Sequence, residues 1–462
     1  MIEINGLKYN LNIEEKTASV TNNTYSGFLT IPESIIYDNE NYIVNAIEDY
    51  AFYWSDLLSV TIPNSVRNIG IDAFYGCSLL ASVKIGEGVE SIDGGAFRSC
   101  SNLQSVSIGK NVRHIGANAF YGNNSLSQVY ITDLSAWCQI DFADLGSNPL
   151  YESHHLYLNM KEIKELVIPE DITTIKDYVF AGGSNIGSLT IGNNISSIGA
   201  YSFYQCSSLT SVELASSINS IKDRAFYECT ELETIQLPDD IESIGQYCFY
   251  GCTKIEKLKL PENLKHIKYS AFEECNSLTN IIIPNKVEII DSYAFYNTNE
   301  EQLSIIMKPE YPPLAISQSF PNNPRLYVPD ESIEPYQNVA PWSNFDMHTF
   351  SSSGPEKCAT PVVSYTNGVL SFSSDTPEVD FHYVITSADG QKSVGNILNI
   401  SGNCIVSVYA SKNGYEDSVT VTEEINIIGK MGDVNRDGEV NVADHVKLTE
   451  IIMGQTNDSN ND

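Results

Sequence analysis

A chain of 462 residues with 42% apolar content can build real hydrophobic cores in several domains and lacks the composition of a disordered protein. Its 26 basic and 59 acidic residues leave a formal net charge of −33, which repels nucleic-acid phosphates and anionic membrane surfaces, so neither is expected as a partner. No apolar run reaches the length of a membrane span, and the opening MIEINGLKYN has neither the basic n-region nor the apolar h-region of a signal peptide.

Residues 1–50 alternate apolar and polar in INGLKYNLNIE and carry turn residues at Asn5-Gly6 and Asn22-Asn23, which predicts a strand-rich cap. From there a repeat takes over. Phe74, Phe97 and Phe120 are each 23 residues apart, and so are Phe180, Phe203, Phe226, Phe249, Phe272 and Phe295. A fixed period of this size means a stack of coils, a solenoid whose open apolar ends need caps.

Within the unit, the pattern L-x-S-V-x-I-P-x-x-V-x-x-I-x-x-x-A-F-x-x-C returns, as in Leu209, Val212, Leu214, Ile218, Ile221, Ala225, Phe226 and Cys229. In residues 59–63, alternation sends Val60 and Ile62 inward and Ser59 and Thr61 outward, and Pro63 ends the strand. Short parallel strands follow from stacking such units. The spacing of Val66, Ile69, Ala73 and Phe74 predicts a turn, a brief extended piece and a short helical turn. Cys77, Cys100, Cys206, Cys229, Cys252 and Cys275 share one repeat position, which predicts a ladder of buried thiols rather than disulfides or a metal site.

These residues resemble the BspA-like leucine-rich repeats of bacterial and protozoan surface proteins, over roughly residues 57–350. The resemblance implies a leucine-rich-repeat solenoid of the α/β class, export to the cell surface or the extracellular space with a leader already removed, and binding to host or neighbouring-cell proteins. The register breaks once, near 132–160, where DLSAWCQIDFADLGSNPLYESHHLYLN is not a standard coil; the same family carries a similar W-C and N-P-L insertion. His154 and His155 lie there, but neighbours in a strand point to opposite faces, which argues against a metal.

Residues 303–350 lose the repeat in a proline-rich stretch that predicts the C-terminal cap, and SSSGPEK at 351–357 reads as a linker. Residues 355–428 carry short strands and an Asn367-Gly368 hairpin signal, which predict a small β-sandwich. It resembles fibronectin-type-III-like (Ig-like) or chitobiase-C-terminal-like modules. Whether Cys358 and Cys404 pair is open at this stage.

Residues 431–462 hold the sharpest chemical motif. Asp433, Asn435, Asp437, Glu439 and Asp444 fall at positions 1, 3, 5, 7 and 12 of a calcium loop, with Gly438 at the sharp turn. This spacing wraps oxygen ligands around one Ca²⁺, and a helix holding Val446, Leu448, Ile451 and Ile452 follows. The segment resembles half of a dockerin, which implies a cohesin-like partner, although Val442 and Ala443 stand where many dockerins carry Ser or Thr. The terminal Asp458, Asn460 and Asp462 would open a second loop if the natural chain continues.

No G-x-S-x-G, H-E-x-x-H, C-x-x-C, P-loop or G-x-G-x-x-G motif occurs, so no enzyme is expected. Two surfaces are candidates for binding a protein or glycan. One is the outward strand face, including Lys84 and Tyr130; the other is a tyrosine stripe one residue after the core phenylalanine, at Tyr53, Tyr75, Tyr121, Tyr204, Tyr227, Tyr250 and Tyr296. Each stripe residue either packs on the neighbouring coil or offers an adhesive ring to a ligand.

Overall fold

In the first regular coil Val60 and Ile62 are each 1% exposed, while Ser59 and Thr61 face outward. Coil follows coil in strict register: Ser59, Val60 and Thr61 pair in parallel with Ser82, Val83 and Lys84, and these with Ser105, Val106 and Ser107. A second, two-residue strand in each coil stacks likewise, Asn68–Ile69 on Ser91–Ile92 on His114–Ile115. The structure, a computed structural model, describes residues 1–298, 303–322, 324–350, 356–366, 369–387, 392–394, 404–412, 415 and 418–425. The chain divides into two compact units, Met1–Thr349 and Phe350–Asp462.

The third side of each coil is built from turns. The N–H groups of Asp72, Phe74 and Gly76 donate to Gly94, Ala96 and Arg98 of the next coil at 3.0, 2.7 and 2.9 Å, while those of Ala73, Tyr75 and Cys77 close turns on Gly70, Asp72 and Phe74. Asp72 and Gly76 have φ of 51° and 72°. A left-handed residue between successive turns interrupts the right-handed run that an α-helix requires, so no i→i−4 ladder starts. The helical turn expected in each coil is therefore replaced by tandem turns, and the α/β class by a parallel β-solenoid. Among the described residues the α-helices are α1 (Leu134–Cys138), α2 (Pro149–Ser153) and α3 (Ile333–Gln337), all outside the regular coils. None is long and apolar enough to cross a membrane.

Phenylalanine rings fill the centre. Phe52, Phe74, Phe97 and Phe120 stack in sequence, and Phe180 to Phe295 form a second column, with centroids about one coil apart, 5.0 Å for Phe52–Phe74 and 5.4 Å for Phe272–Phe295. The repeat cysteines stand beside them, fully buried. Each thiol donates to the carbonyl of the preceding coil's phenylalanine, as Cys77 Sγ does to Phe52 O at 3.1 Å and Cys252 Sγ to Phe226 O at 3.2 Å. Burial pushes the Cys77 and Cys206 thiols up to about 12, far from the thiolate form that reacts.

The irregular stretch near 132–160 is a coil after all, enlarged by α1 and α2. Its strands Asp141–Phe142 and Leu156–Leu158 continue the two ladders from His114–Ile115 and Gln128–Ile131. It lacks the phenylalanine, and two side chains replace the missing bonds to the next coil. Trp137 Nε1 donates to Val179 O at 3.0 Å, the carbonyl that a backbone N–H reaches elsewhere, and Asn148 Nδ2 donates to Tyr178 O at 2.7 Å. Gly182 is required here, since its φ is 80° and a Cβ would lie 2.5 Å from Tyr151 Cα. The strand sheet ends in the antiparallel pair Leu156–Leu158 and Lys161–Glu162, and another begins at Glu165–Val167, yet one apolar core runs on from Leu7 to Trp342.

Both ends of the stack are covered. At the N-terminus the strands Ile2–Ile4, Leu7–Asn12 and Thr17–Val20 pair antiparallel, and Thr17–Val20 passes the ladder to Glu40–Ile47. At the other end Phe320 stacks on Phe295 at 5.9 Å, and Trp342 and Phe345 close over Phe320 at 5.1 and 5.5 Å. Trp342 Nε1 donates to Pro313 O and the Tyr336 hydroxyl to Pro309 O, so neither buried polar tip is orphaned.

In the second unit, Val362–Thr366 and Val369–Ser373 form an antiparallel pair, and Asp380–Ser387, Lys392–Val394, Cys404–Ser411 and Val421–Ile425 form an antiparallel sheet. Leu370, Ile385, Cys404, Val406 and Ile425 share one small core. Cys358 and Cys404 are buried thiols, not a disulfide. The calcium loop, with Asp433, Asn435, Asp437, Glu439 and Asp444, lies outside the described residues.

The phenylalanine column predicts a large contrast between two single substitutions. Phe226 is 0% exposed between Phe203 and Phe249, so Phe226→Ala is expected to cost about 3–5 kcal/mol. Phe28 is 78% exposed, and Phe28→Ala is expected to stay within about 0.5 kcal/mol. Urea unfolding of both variants measures this, and equal losses would refute the column as the main source of stability.

Candidate binding surface

The tandem turns fix which side chains reach solvent. Because Phe74, Ala73 and Cys77 point into the core, the residue after each phenylalanine is left on the outer side of the turn. Coil stacking then sets these residues one above another. Tyr204, Tyr227 and Tyr250 form a continuous column, with ring centroids 4.8 and 4.7 Å apart and planes within 11° and 6°. Tyr53 and Tyr75 stack at 5.2 Å, and Trp54, 60% exposed, packs edge-on against Tyr75. Gly76 makes room for that indole, since a Cβ would lie 2.7 Å from its ring.

One coil carries arginine at this position. Arg98 places its Cζ 5.8 Å from the Tyr75 ring and 5.6 Å from the Tyr121 ring, which bridges the gap left between them. Ala181 leaves another gap at the enlarged coil, and Tyr151 of α2 reaches across it to Tyr204 at 6.2 Å. The stripe read from the sequence is therefore packed in part: Tyr53 stacks on Tyr75, and Tyr204, Tyr227 and Tyr250 on one another, while Tyr121 meets Arg98 and Tyr296 meets Tyr293 edge-on.

A second file runs alongside that the sequence reading missed. Tyr178, Tyr201, Tyr247 and Tyr293, each two residues before the core phenylalanine, sit at the left-handed turn position with φ of 65°, 55°, 55° and 61°. Tyr178 stacks on Tyr201 at 5.1 Å, and Arg224 fills the next coil with its Cζ 5.3 Å from Tyr201 and 4.4 Å from Tyr247. The files interlock, Tyr201 with Tyr204 at 5.4 Å and Tyr247 with Tyr250 at 6.0 Å. A 23-residue recurrence of tyrosine at this offset was the available signal.

Electrostatically the wall is neutral phenol edged with carboxylate. Burial, then the neighbouring Tyr227 and Tyr151 phenols and Glu228, push Tyr204 up to about 12, and burial with Glu274 raises Tyr250 above its usual range. Both phenols remain protonated near neutral pH and offer hydrogen-bond donors along with flat apolar faces.

The other expected residues are placed elsewhere. Lys84 is exposed on the strand face between Thr61 and Ser107, and Tyr130 lies on that face too, packed on Tyr157 at 5.1 Å. The structure thus brings Tyr75, Tyr121, Tyr204, Tyr227 and Tyr250 onto the turn face and leaves Lys84 and Tyr130 on another. His154 is the residue that ends α2, not part of a strand, and its Nδ1 donates to Gly182 O at 2.9 Å; His155 Nδ1 meets Glu162 Oε1 at 2.5 Å.

Residues 45–142, 151–240 and 196–309 match the BspA type leucine rich repeat region (6 copies). No match is found among curated proteins. Among solved structures, the chain is similar to a leucine-rich cell surface protein from Faecalibacterium prausnitzii A2-165, 22% identical, covering 61% of this chain and 93% of that one with a TM-score of 0.31. It is similar to a leucine-rich repeat protein from Bacteroides capillosus ATCC 29799, 30% identical, covering 29% and 98% with a TM-score of 0.27. A third, from Bacteroides ovatus ATCC 8483, is 22% identical over 76% of this chain and 100% of that one, with a TM-score of 0.36.

The close approach of Arg224 to Tyr247 predicts a measurable coupling. A double-mutant cycle of Arg224→Met and Tyr247→Leu, read by urea unfolding, is expected to give an interaction energy of about 0.5–2 kcal/mol. Additive effects would show that the guanidinium merely lies over the ring.

Proposed function

The chain belongs to the BspA-type leucine-rich repeat family, and from that premise we propose that it is a non-enzymatic scaffold at the cell surface or in the extracellular space that binds a host or neighbouring-cell protein or glycan through its turn face. The contiguous column of Tyr204, Tyr227 and Tyr250 carries this reading. Rings held by coil stacking lose little freedom when a ligand settles on them, and aromatic side chains of this kind dominate binding energetics. The family is a class of repeat scaffolds, in keeping with a role in binding rather than catalysis.

The second unit is, in this reading, an Ig-like or fibronectin-type-III-like module, or a chitobiase-C-terminal-like one, that follows the repeats in the sequence. The motif D-V-N-R-D-G-E-V-N-V-A-D at 433–444 favours a further reading, in which one Ca²⁺ orders a dockerin-like half-module that docks on a cohesin-like partner within an extracellular carbohydrate-degrading assembly. Hard carboxylate and amide oxygens at this spacing suit that ion.

Two experiments test these readings. Screened against extracellular matrix proteins and glycans, the full chain is expected to bind, and Tyr204→Ser, Tyr227→Ser and Tyr250→Ser together are expected to weaken binding at least ~30-fold while circular dichroism stays unchanged; full binding by the triple variant would move the site off the turn face. For the tail, calorimetric titration is expected to show one calcium site that Asp433→Ala removes, and cohesin capture that EDTA abolishes. Unchanged calcium affinity in that variant would overturn the loop assignment.

A further inference from the structure

The turn face solves the same packing problem twice with the same chemistry. Tyr75 and Tyr121 stand two coils apart, roughly 10 Å, and Arg98 puts a guanidinium between them. In the neighbouring file Tyr201 and Tyr247 are also two coils apart, and Arg224 does likewise. Two gaps between tyrosines on this face thus hold a guanidinium between flat rings, whereas the gap between Tyr247 and Tyr293 takes the Tyr269 ring, at 5.2 and 5.6 Å.

A third gap of this kind lacks its arginine. Tyr250 and Tyr296 occupy the same repeat position two coils apart, and the residue between them is Glu273. Its carboxyl is partly buried, and burial together with the adjacent Glu274 pushes it above the ordinary glutamate range. Among the described residues neither Glu273 nor Glu274 has an ion-pair partner. Glu274 accepts a hydrogen bond from the Tyr250 hydroxyl. Two rings with a carboxylate pair that has no neighbouring cation among the described residues are the complement of the Arg98 arrangement, with the cation left to come from outside.

Resting on the reading of the turn face as the binding surface, we propose that the slot formed by Tyr250, Glu273, Glu274 and Tyr296 takes an arginine side chain from an extended cationic segment of a partner protein. The ring faces receive the guanidinium by cation–π contact and the carboxylates pair its N–H groups. The formal charge of −33 draws such a segment in and discriminates against acidic ones. Three residues of a polyproline II segment span about 9 Å, close to two coils, and every third side chain lies on one side, so such a segment lying along the stack presents its arginines to the same face. Its neighbouring residues then rest on the column of Tyr204, Tyr227 and Tyr250.

The test uses the full chain and a fluorescent nine-residue peptide with arginine at every third position, beside the same peptide with citrulline, which keeps the shape and removes the charge. The arginine peptide is expected to bind at least ~10-fold more tightly than the citrulline one, and Glu273→Gln and Tyr250→Leu are each expected to weaken it about 5- to 20-fold. Glu213→Gln, which removes one exposed charge from the strand face, is expected to leave affinity within about twofold. Equal weakening by Glu213→Gln, or none by Glu273→Gln, would reduce the effect to net charge and overturn the slot. If the triple tyrosine variant loses its matrix or glycan ligand but the arginine peptide neither binds nor competes, the guanidinium assignment fails and the turn face stands. If the triple variant keeps that ligand, the turn-face reading itself fails.

Discussion

Each coil of the solenoid leaves backbone N–H groups on its turn side that only the next coil can satisfy. Asp72, Phe74 and Gly76 donate forward, and the residues between them close their own turns. Unpaired amide groups at a buried interface are costly, so coils must stack in strict register, and register in turn aligns the phenylalanine column and both tyrosine files. The left-handed residues that make this alternation feasible cost of order 1–3 kcal/mol each where they are not glycine. Their recurrence at tyrosine and arginine positions therefore marks a backbone held in place by its neighbours.

The same constraint explains the enlarged coil. When a coil departs from the pattern, the forward bonds must still be made, and Trp137 and Asn148 make them with side chains. The parallel strand ladder is interrupted at this point, but the apolar core is not. Burial and hydrogen bonding are thus separable here: one continues by contact of side chains while the other is rerouted.

Much of this was legible in the sequence because it depends on what recurs. Phe74, Phe97 and Phe120, and the cysteine three residues after the first two, fixed the period and their own burial. Apolar spacing is blind to the sign of φ, however, and so a short helix was expected where Asp72 and Gly76 impose turns. The expanded coil was hidden by the absence of a phenylalanine, although Asn148 holds the next coil through its amide. The second tyrosine file escaped notice because Arg224 and Ser270 interrupt it at the offset that Tyr201 and Tyr247 share. The calcium motif rests on residue spacing alone.

The repeat cysteines have a consequence for how such a chain changes length. Disulfides tie cysteines together in twos, so a scaffold that depends on them must gain or lose units in matched sets or leave an odd thiol behind. Here each thiol is satisfied by the carbonyl of the coil before it, as Cys229 is by Phe203 O at 3.3 Å. A single coil inserted or deleted brings or removes one complete donor–acceptor step, with nothing left over. The number of coils, and with it the reach of the tyrosine wall, is free to vary by one.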